Sequence, residues 1–259
     1  MRLLIGLFLL SCFPLLTSAQ EAAISYATFR SPGGEHYAEI SLYLIGESLS
    51  HIPVSAGDSL KRASAEITLI VRPAKKEEIV VADKFLLAGP ATARPKDLVD
   101  VKRYPLPAGD YEMSIQVVDV SAQDKKKTYR TPLTIGYPDT GVVISDVQLL
   151  ASIVPSTGEA SMLSKQGYDM EPLPFNFYQQ DRDKLFAYAE IYGMEAGEGG
   201  NKFVVASIIE KMSGEEANPV SRRVKAYERA EIVPVLTVFP ISKLGGGNYR
   251  LVTEVRSAT

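Results

Sequence analysis

LPAGDYEMSIQV, residues 106–117, sets a Gly two positions ahead of a Tyr and then alternates apolar and polar side chains. Period-two alternation is the mark of a strand with one face in a core. A Tyr at the start of such a strand, preceded by a turn, fits the corner of an immunoglobulin-like sandwich. There the hydroxyl bonds to backbone a few residues upstream and pins the crossover between sheets. The same arrangement returns in LGGGNYRLVTEV, residues 244–255. Tyr111 and Tyr249 are therefore expected to be structural tyrosine corners.

A second repeated element precedes each of these. YAEI occurs at 37–40, within YAEISLYL, and at 188–191, within KLFAYAEIYGM. Two anchors in the same order predict two related domains, each running from an early YAEI strand to a late GxY strand. The first Tyr-to-Tyr span is the longer, and the surplus is expected in loops around KKEE (75–78) or AGPATARPKD (88–97). Further alternating segments lie at 24–30, 65–71, 128–135, 142–153, 202–212 and 230–241. SRRVKAYERAEI (221–232) reads equally as a turn of helix or a strand. With short strands, Gly/Pro turns and no long amphipathic helix, the fold class expected is all-β. Two immunoglobulin-like sandwiches in tandem would span 20–136 and 142–259, joined by a linker at 137–141 within the turn-rich GYPDTG.

The N-terminus reads as an export signal. Arg2 is followed by the apolar LLIGLFLLSCFPLL and by small residues ending at Ala19, which predicts cleavage there and a signal peptide over 1–19. Cys12, the only cysteine, lies inside this segment; LLSC also resembles a lipoprotein box, so lipid anchoring at Cys12 is the lesser alternative. Cleavage at Ala19 leaves a chain with neither cysteine nor transmembrane span, periplasmic, outer-membrane-associated or secreted. The formal net charge of −3 is mixed evenly along the chain and gives no general attraction for nucleic acid.

Catalytic parts are sparse. Two histidines, His36 and His51, lack metal-ligand spacing, and no nucleophile elbow or phosphate loop occurs. No catalytic, metal or cofactor residue is assigned. DTGVVISD (139–146) and DRD (181–183) offer the only acidic loops with a case for Ca²⁺. In YAEI, Ala and Ile point to the core, so Glu39 and Glu190 are expected to face outward and, in separate domains, to stay apart. The aromatic stretch MEPLPFNFYQQDRD (170–183) is either a lid on the second sandwich or a surface. Phe175, Phe177 and Tyr178, with nearby Tyr192, form the candidate binding surface.

VISDVQLLASI, KQGYDMEPLPFNFYQ and KLFAYAEIYGM, taken together, resemble the N-terminal region of the GWxTD-domain proteins, exported proteins found mainly in Bacteroidetes. The resemblance covers roughly 105–195. The Trp motif that names the family is absent, since the chain contains no Trp. The resemblance implies an exported envelope protein and supplies no mechanism. The reading expected from the sequence is a non-enzymatic binding or structural module engaging an envelope protein. The alternatives are a carbohydrate- or peptide-binding accessory module using 170–183, and a carboxylate-dependent hydrolase.

Overall fold

A computed structural model describes residues 21–257 except 58, 139, 160, 180 and 195–200. The signal-peptide and Cys12 readings therefore lie outside the described residues, as does Asp139.

Eighteen strands and no α-helix occur among the described residues. In chain order they are β1 (Ala22–Arg30), β2 (His36–Leu44), β3 (Ile52–Pro53), β4 (Lys61–Arg62), β5 (Ser64–Pro73), β6 (Val81–Ala88), β7 (Leu98–Pro105), β8 (Gly109–Asp119) and β9 (Ala122–Ile135). They continue as β10 (Val143–Ile144), β11 (Gln148–Pro155), β12 (Ser164–Lys165), β13 (Tyr168–Pro172), β14 (Lys184–Tyr192), β15 (Lys202–Ser213), β16 (Glu216–Glu228), β17 (Ile232–Pro240) and β18 (Tyr249–Ser257). Single turns of 3-10 helix follow β2, at Gly46–Ser48, and β13, at Pro174–Asn176.

In the N-terminal half a three-stranded sheet, β1-β2-β7, faces a four-stranded sheet, β6-β5-β8-β9. Alternation does the packing. Ala38, Ile40, Leu42 and Leu44 of β2 meet Ala65, Ile67, Leu69 and Val71 of β5 and Met113, Ile115 and Val117 of β8, all buried in one cluster. The C-terminal half repeats the plan. β11, β14 and β17 stand side by side with β14 central, opposite a sheet ordered β16-β15-β18. Ile191, Phe203, Val205, Val233 and Val235 fill one end of its interior, and Leu185, Ala187, Ile209 and Phe239 the other. All strand pairings among the described residues lie within 22–135 or within 143–257.

The principal strands of the two halves follow one another in the same order. Each YAEI strand, β2 or β14, is the middle strand of its sheet. Each is followed by a strand that crosses to the other sheet, a hairpin partner, a return strand pairing with the YAEI strand, and then the GxY strand. Tyr111 donates its hydroxyl to the carbonyl of Pro107 at 2.8 Å, and Tyr249 donates to that of Gly245 at 2.7 Å, each four residues upstream. β8 is the penultimate strand of its sandwich, whereas β18 is the last described strand.

One local expectation is corrected and one open alternative is resolved. The surplus length does not sit around KKEE. β5 begins 27 residues after Tyr37 and β15 only 14 after Tyr188, while both run 47 residues on to the corner tyrosine. The extra residues thus fall in 45–63, which folds as the 3-10 turn and the β3–β4 hairpin. The 221–232 stretch takes the strand alternative, since 221–228 pairs with β15 as part of β16.

Candidate functional site

The site assembles where the outer face of β1-β2-β7 meets the outer face of β11-β14. Ala27 and Phe29 of β1 pack with Leu150, Met170 and Tyr188 in a cluster shared by both halves. The YAEI strands are consequently buried on two faces. Their Ala and Ile side chains enter the sandwiches as expected, but Glu39 is only 3% exposed and Glu190 1%. The expectation that both glutamates face outward and stay apart is overturned. The non-core face of each strand is covered by the other half rather than by solvent.

Lys165 brings the glutamates together. It ends β12 beside a tight Gln166-Gly167 turn in which both residues adopt positive φ, 50° and 79°. Its Nζ lies 3.6 Å from Oε2 of Glu39 and 3.5 Å from Oε1 of Glu190, with its side chain 7% exposed. No acceptor among the described residues meets hydrogen-bond geometry with the ammonium. The ammonium also stands 2.9 Å from the ring centroid of Phe29 and 4.9 Å from that of Tyr188, so aromatic faces supply part of its stabilisation.

Each carboxylate has its own donors. Glu39 accepts from Arg103 Nε and from Gln148 Nε2, both at 2.7 Å. Glu190 accepts from Tyr188 at 2.5 Å and Tyr192 at 2.6 Å, the tyrosines two residues to either side of it. Burial alone would raise the Glu39 carboxyl pKa, but Lys165, Arg103 and the Gln148 bond outweigh it and hold the group below its ordinary value. Burial pulls the Lys165 ammonium below its ordinary value, with the two carboxylates opposing. Burial and the neighbouring Glu190 push Tyr37, Tyr188 and Tyr192 far up, so these hydroxyls remain donors.

A second set of contacts borders this cluster. Thr28 donates its backbone N–H and its hydroxyl to Oδ2 of Asp146, at 2.9 and 2.8 Å. Tyr137 donates to the Thr28 carbonyl at 2.5 Å and accepts from the Asp146 N–H at 3.1 Å. Burial raises the Tyr137 hydroxyl to about 12. Arg30 donates to the carbonyls of Tyr137 and Pro138, and its backbone N–H donates to the Tyr192 hydroxyl at 2.9 Å. The segment read as a linker is thus clamped to both halves. Asp146, weighed as a Ca²⁺ ligand, is committed to Thr28. No group of three or more His, Cys, Asp or Glu suited to a metal occurs among the described residues.

The proposed aromatic surface divides. Tyr192 is 4% exposed and belongs to the junction. Tyr178 donates to the carbonyls of Leu150 and Phe186, at 3.1 and 3.0 Å, and its hydroxyl is raised to about 12 by burial. Phe175, at φ 58°, is 56% exposed with one edge towards Tyr43, and Phe177 is 66% exposed. A four-ring stacking surface is therefore not formed.

Chemically, the cluster is two carboxylates neutralised by two cations. Its lining residues Lys165, Glu39 and Glu190 line none of the clefts beside β1, between β10 and β18, beneath Lys75, or over β15–β17. Lys165, Arg103, Gln148, Thr28 and Tyr137 escaped sequence reasoning. Lys165 had one available signal, the Gln-Gly hairpin turn after it; the others sit in ordinary strand or turn contexts. No protein-family model matches the chain, and no curated protein is significantly similar to it.

Proposed function

We propose that the chain is an exported, non-enzymatic structural and binding module of a bacterial cell envelope, engaging a protein partner. The observation that carries this reading is the enclosure of the Lys165–Glu39–Glu190 cluster between the two halves. A lysine lowered by burial and paired carboxylates are what a catalytic centre would use. Here they face one another across an internal contact, and their side chains are 7% exposed or less. Such a cluster fixes the relative orientation of two sandwiches, which is the requirement of a rigid spacer or scaffold presenting its outer edges. The export signal read over 1–19 and the likeness to the GWxTD-domain proteins support the envelope setting.

The test is photo-crosslinking in envelope extract, followed by reconstitution of any captured complex from purified components. A reconstituted complex supports the reading. Consistent failure to capture a partner overturns it, as would turnover of an envelope substrate abolished by Glu190→Gln.

A further inference from the structure

The Lys165 ammonium is enclosed without a hydrogen bond. Its Nζ lies 3.5 Å from Oε1 of Glu190 and 3.6 Å from Oε2 of Glu39, and no acceptor among the described residues meets it in hydrogen-bond geometry. Both carboxylates draw their hydrogen bonds from elsewhere, Glu190 from Tyr188 and Tyr192, Glu39 from Arg103 and Gln148. Around the amine stand the rings of Phe29, Tyr37 and Tyr188, with centroids 2.9, 5.4 and 4.9 Å away. Such a shell disfavours the charged amine, and burial draws its pKa down. A nucleophile, a carboxyl carbon and a second carboxylate thus share one enclosure.

We propose that Lys165 and Glu190 condense within the folded chain into an amide cross-link, Nζ to Cδ, with Glu39 as the proton carrier. The ion-paired cluster is the precursor of that bond, and the titration of Lys165 is that of the chain before it forms. Enclosure bars an outside substrate but not a reaction within the chain that runs once. The cross-link goes beyond the reading as a partner-binding module and depends on no partner. It ties the β12–β13 hairpin to β14, the central strand of its sheet.

The steps balance with water as the sole by-product. One proton moves from the Lys165 ammonium to Oε1 of Glu190, leaving a neutral amine facing a neutral acid. The Nζ lone pair then forms the bond to Cδ, and the carbonyl π pair moves onto Oε2, to which the Tyr192 hydroxyl donates at 2.6 Å. Glu39 takes a second proton from Nζ and delivers it to Oε1; the Cδ–Oε1 bond breaks and water departs. Well-oriented groups within one molecule reach effective concentrations of about 10⁵ M or more. The product also replaces a buried ammonium and a buried carboxylate by a neutral amide. Charge decides which glutamate is joined. Consuming Lys165 and Glu190 leaves Arg103 and Glu39 matched at 2.7 Å. Joining Glu39 would instead strip Arg103 of its carboxylate.

Peptide mass spectrometry of the purified chain reads the bond directly. Trypsin does not cut after an acylated lysine, so the digest should contain residues 131–182 joined to 185–202, lighter than the two peptides together by one water. Fragment ions should place the junction at Lys165 and Glu190. The joined peptide should accumulate with time in the folded protein and not in urea. Glu39→Gln should slow its formation by about a hundredfold or more, and Lys165→Arg, which keeps the charge, should abolish it. A melting curve verifies that these variants fold, and the unaltered chain, folded against unfolded, decides the matter should they not. Separate 131–165 and 185–202 peptides after prolonged incubation of the folded chain would overturn the proposal. So would a junction to Glu39 within 31–61, equal formation in urea, or undiminished formation in folded Glu39→Gln.

Discussion

Glu39 and Glu190, the third residues of two identical tetrapeptides 151 positions apart, lie against the same ammonium, Lys165 Nζ, at 3.6 and 3.5 Å. The repeat meets itself across the junction. Each copy contributes a tyrosine–glutamate face, and a lysine from neither copy neutralises the pair together with Arg103.

Removing that lysine is expected to be severe. Breaking a buried ion pair from one side leaves the other charge uncompensated, at a cost of about 3–5 kcal/mol. Lys165→Met, which retains most of the side-chain volume, should therefore shift the urea midpoint strongly downward. Adding Glu190→Gln to it should recover part of the loss, because one of the stranded carboxylates is then neutral.

The corner tyrosines should separate by burial. Tyr111 is 7% exposed and Tyr249 more so. Tyr111→Phe leaves the Pro107 carbonyl without its donor and is expected to cost about 1–2 kcal/mol in denaturant unfolding. Tyr249→Phe should cost less, since water replaces the hydroxyl at Gly245.

Stability should fall on the acid side through Glu39. Its folded pKa is below the unfolded value, so the folded state binds fewer protons. The resulting stability is complete above the unfolded carboxylate pKa, about 4, and is lost as pH falls through the folded pKa. Denaturant midpoints measured from pH 6 to pH 3 should drop, and Glu39→Gln should flatten that slope. At alkaline pH Lys165 acts with the same sign. Its penalty is relieved as pH rises from its folded pKa towards the unfolded value. Above about pH 10 the raised tyrosines reverse the trend, because only the unfolded chain then ionises freely.

Gly193 follows β14 at φ 74°, and a Cβ there would lie 2.3 Å from the Gly141 carbonyl oxygen. Both the left-handed backbone and the close approach demand glycine. Gly193→Ala should cost about 1–3 kcal/mol by thermal or denaturant unfolding.

Much of the architecture was legible because alternation reports one buried face directly. β2, β5, β8 and β14 follow from it, and the corner tyrosines from the turn before them. β6 and β7 were missed: VADKFLLA and LVDVKRYP place Asp, Lys and Arg among their apolar residues, and both flank sheets where one face is half-exposed. The junction was illegible for a different reason. A polar strand face of Tyr, Glu and Ser looks the same whether water or another sheet covers it, and only tertiary placement decides. Glu190 illustrates this, since its tyrosines at i−2 and i+2 share the outward strand face in sequence yet donate both hydrogen bonds of its carboxylate.

The buried junction should make the two halves one cooperative unit. Differential scanning calorimetry of residues 20–259 tests it most directly. A single transition is expected, with calorimetric and van't Hoff enthalpies in agreement, resolving into two in Lys165→Met. Two independent transitions in the unaltered protein would contradict it.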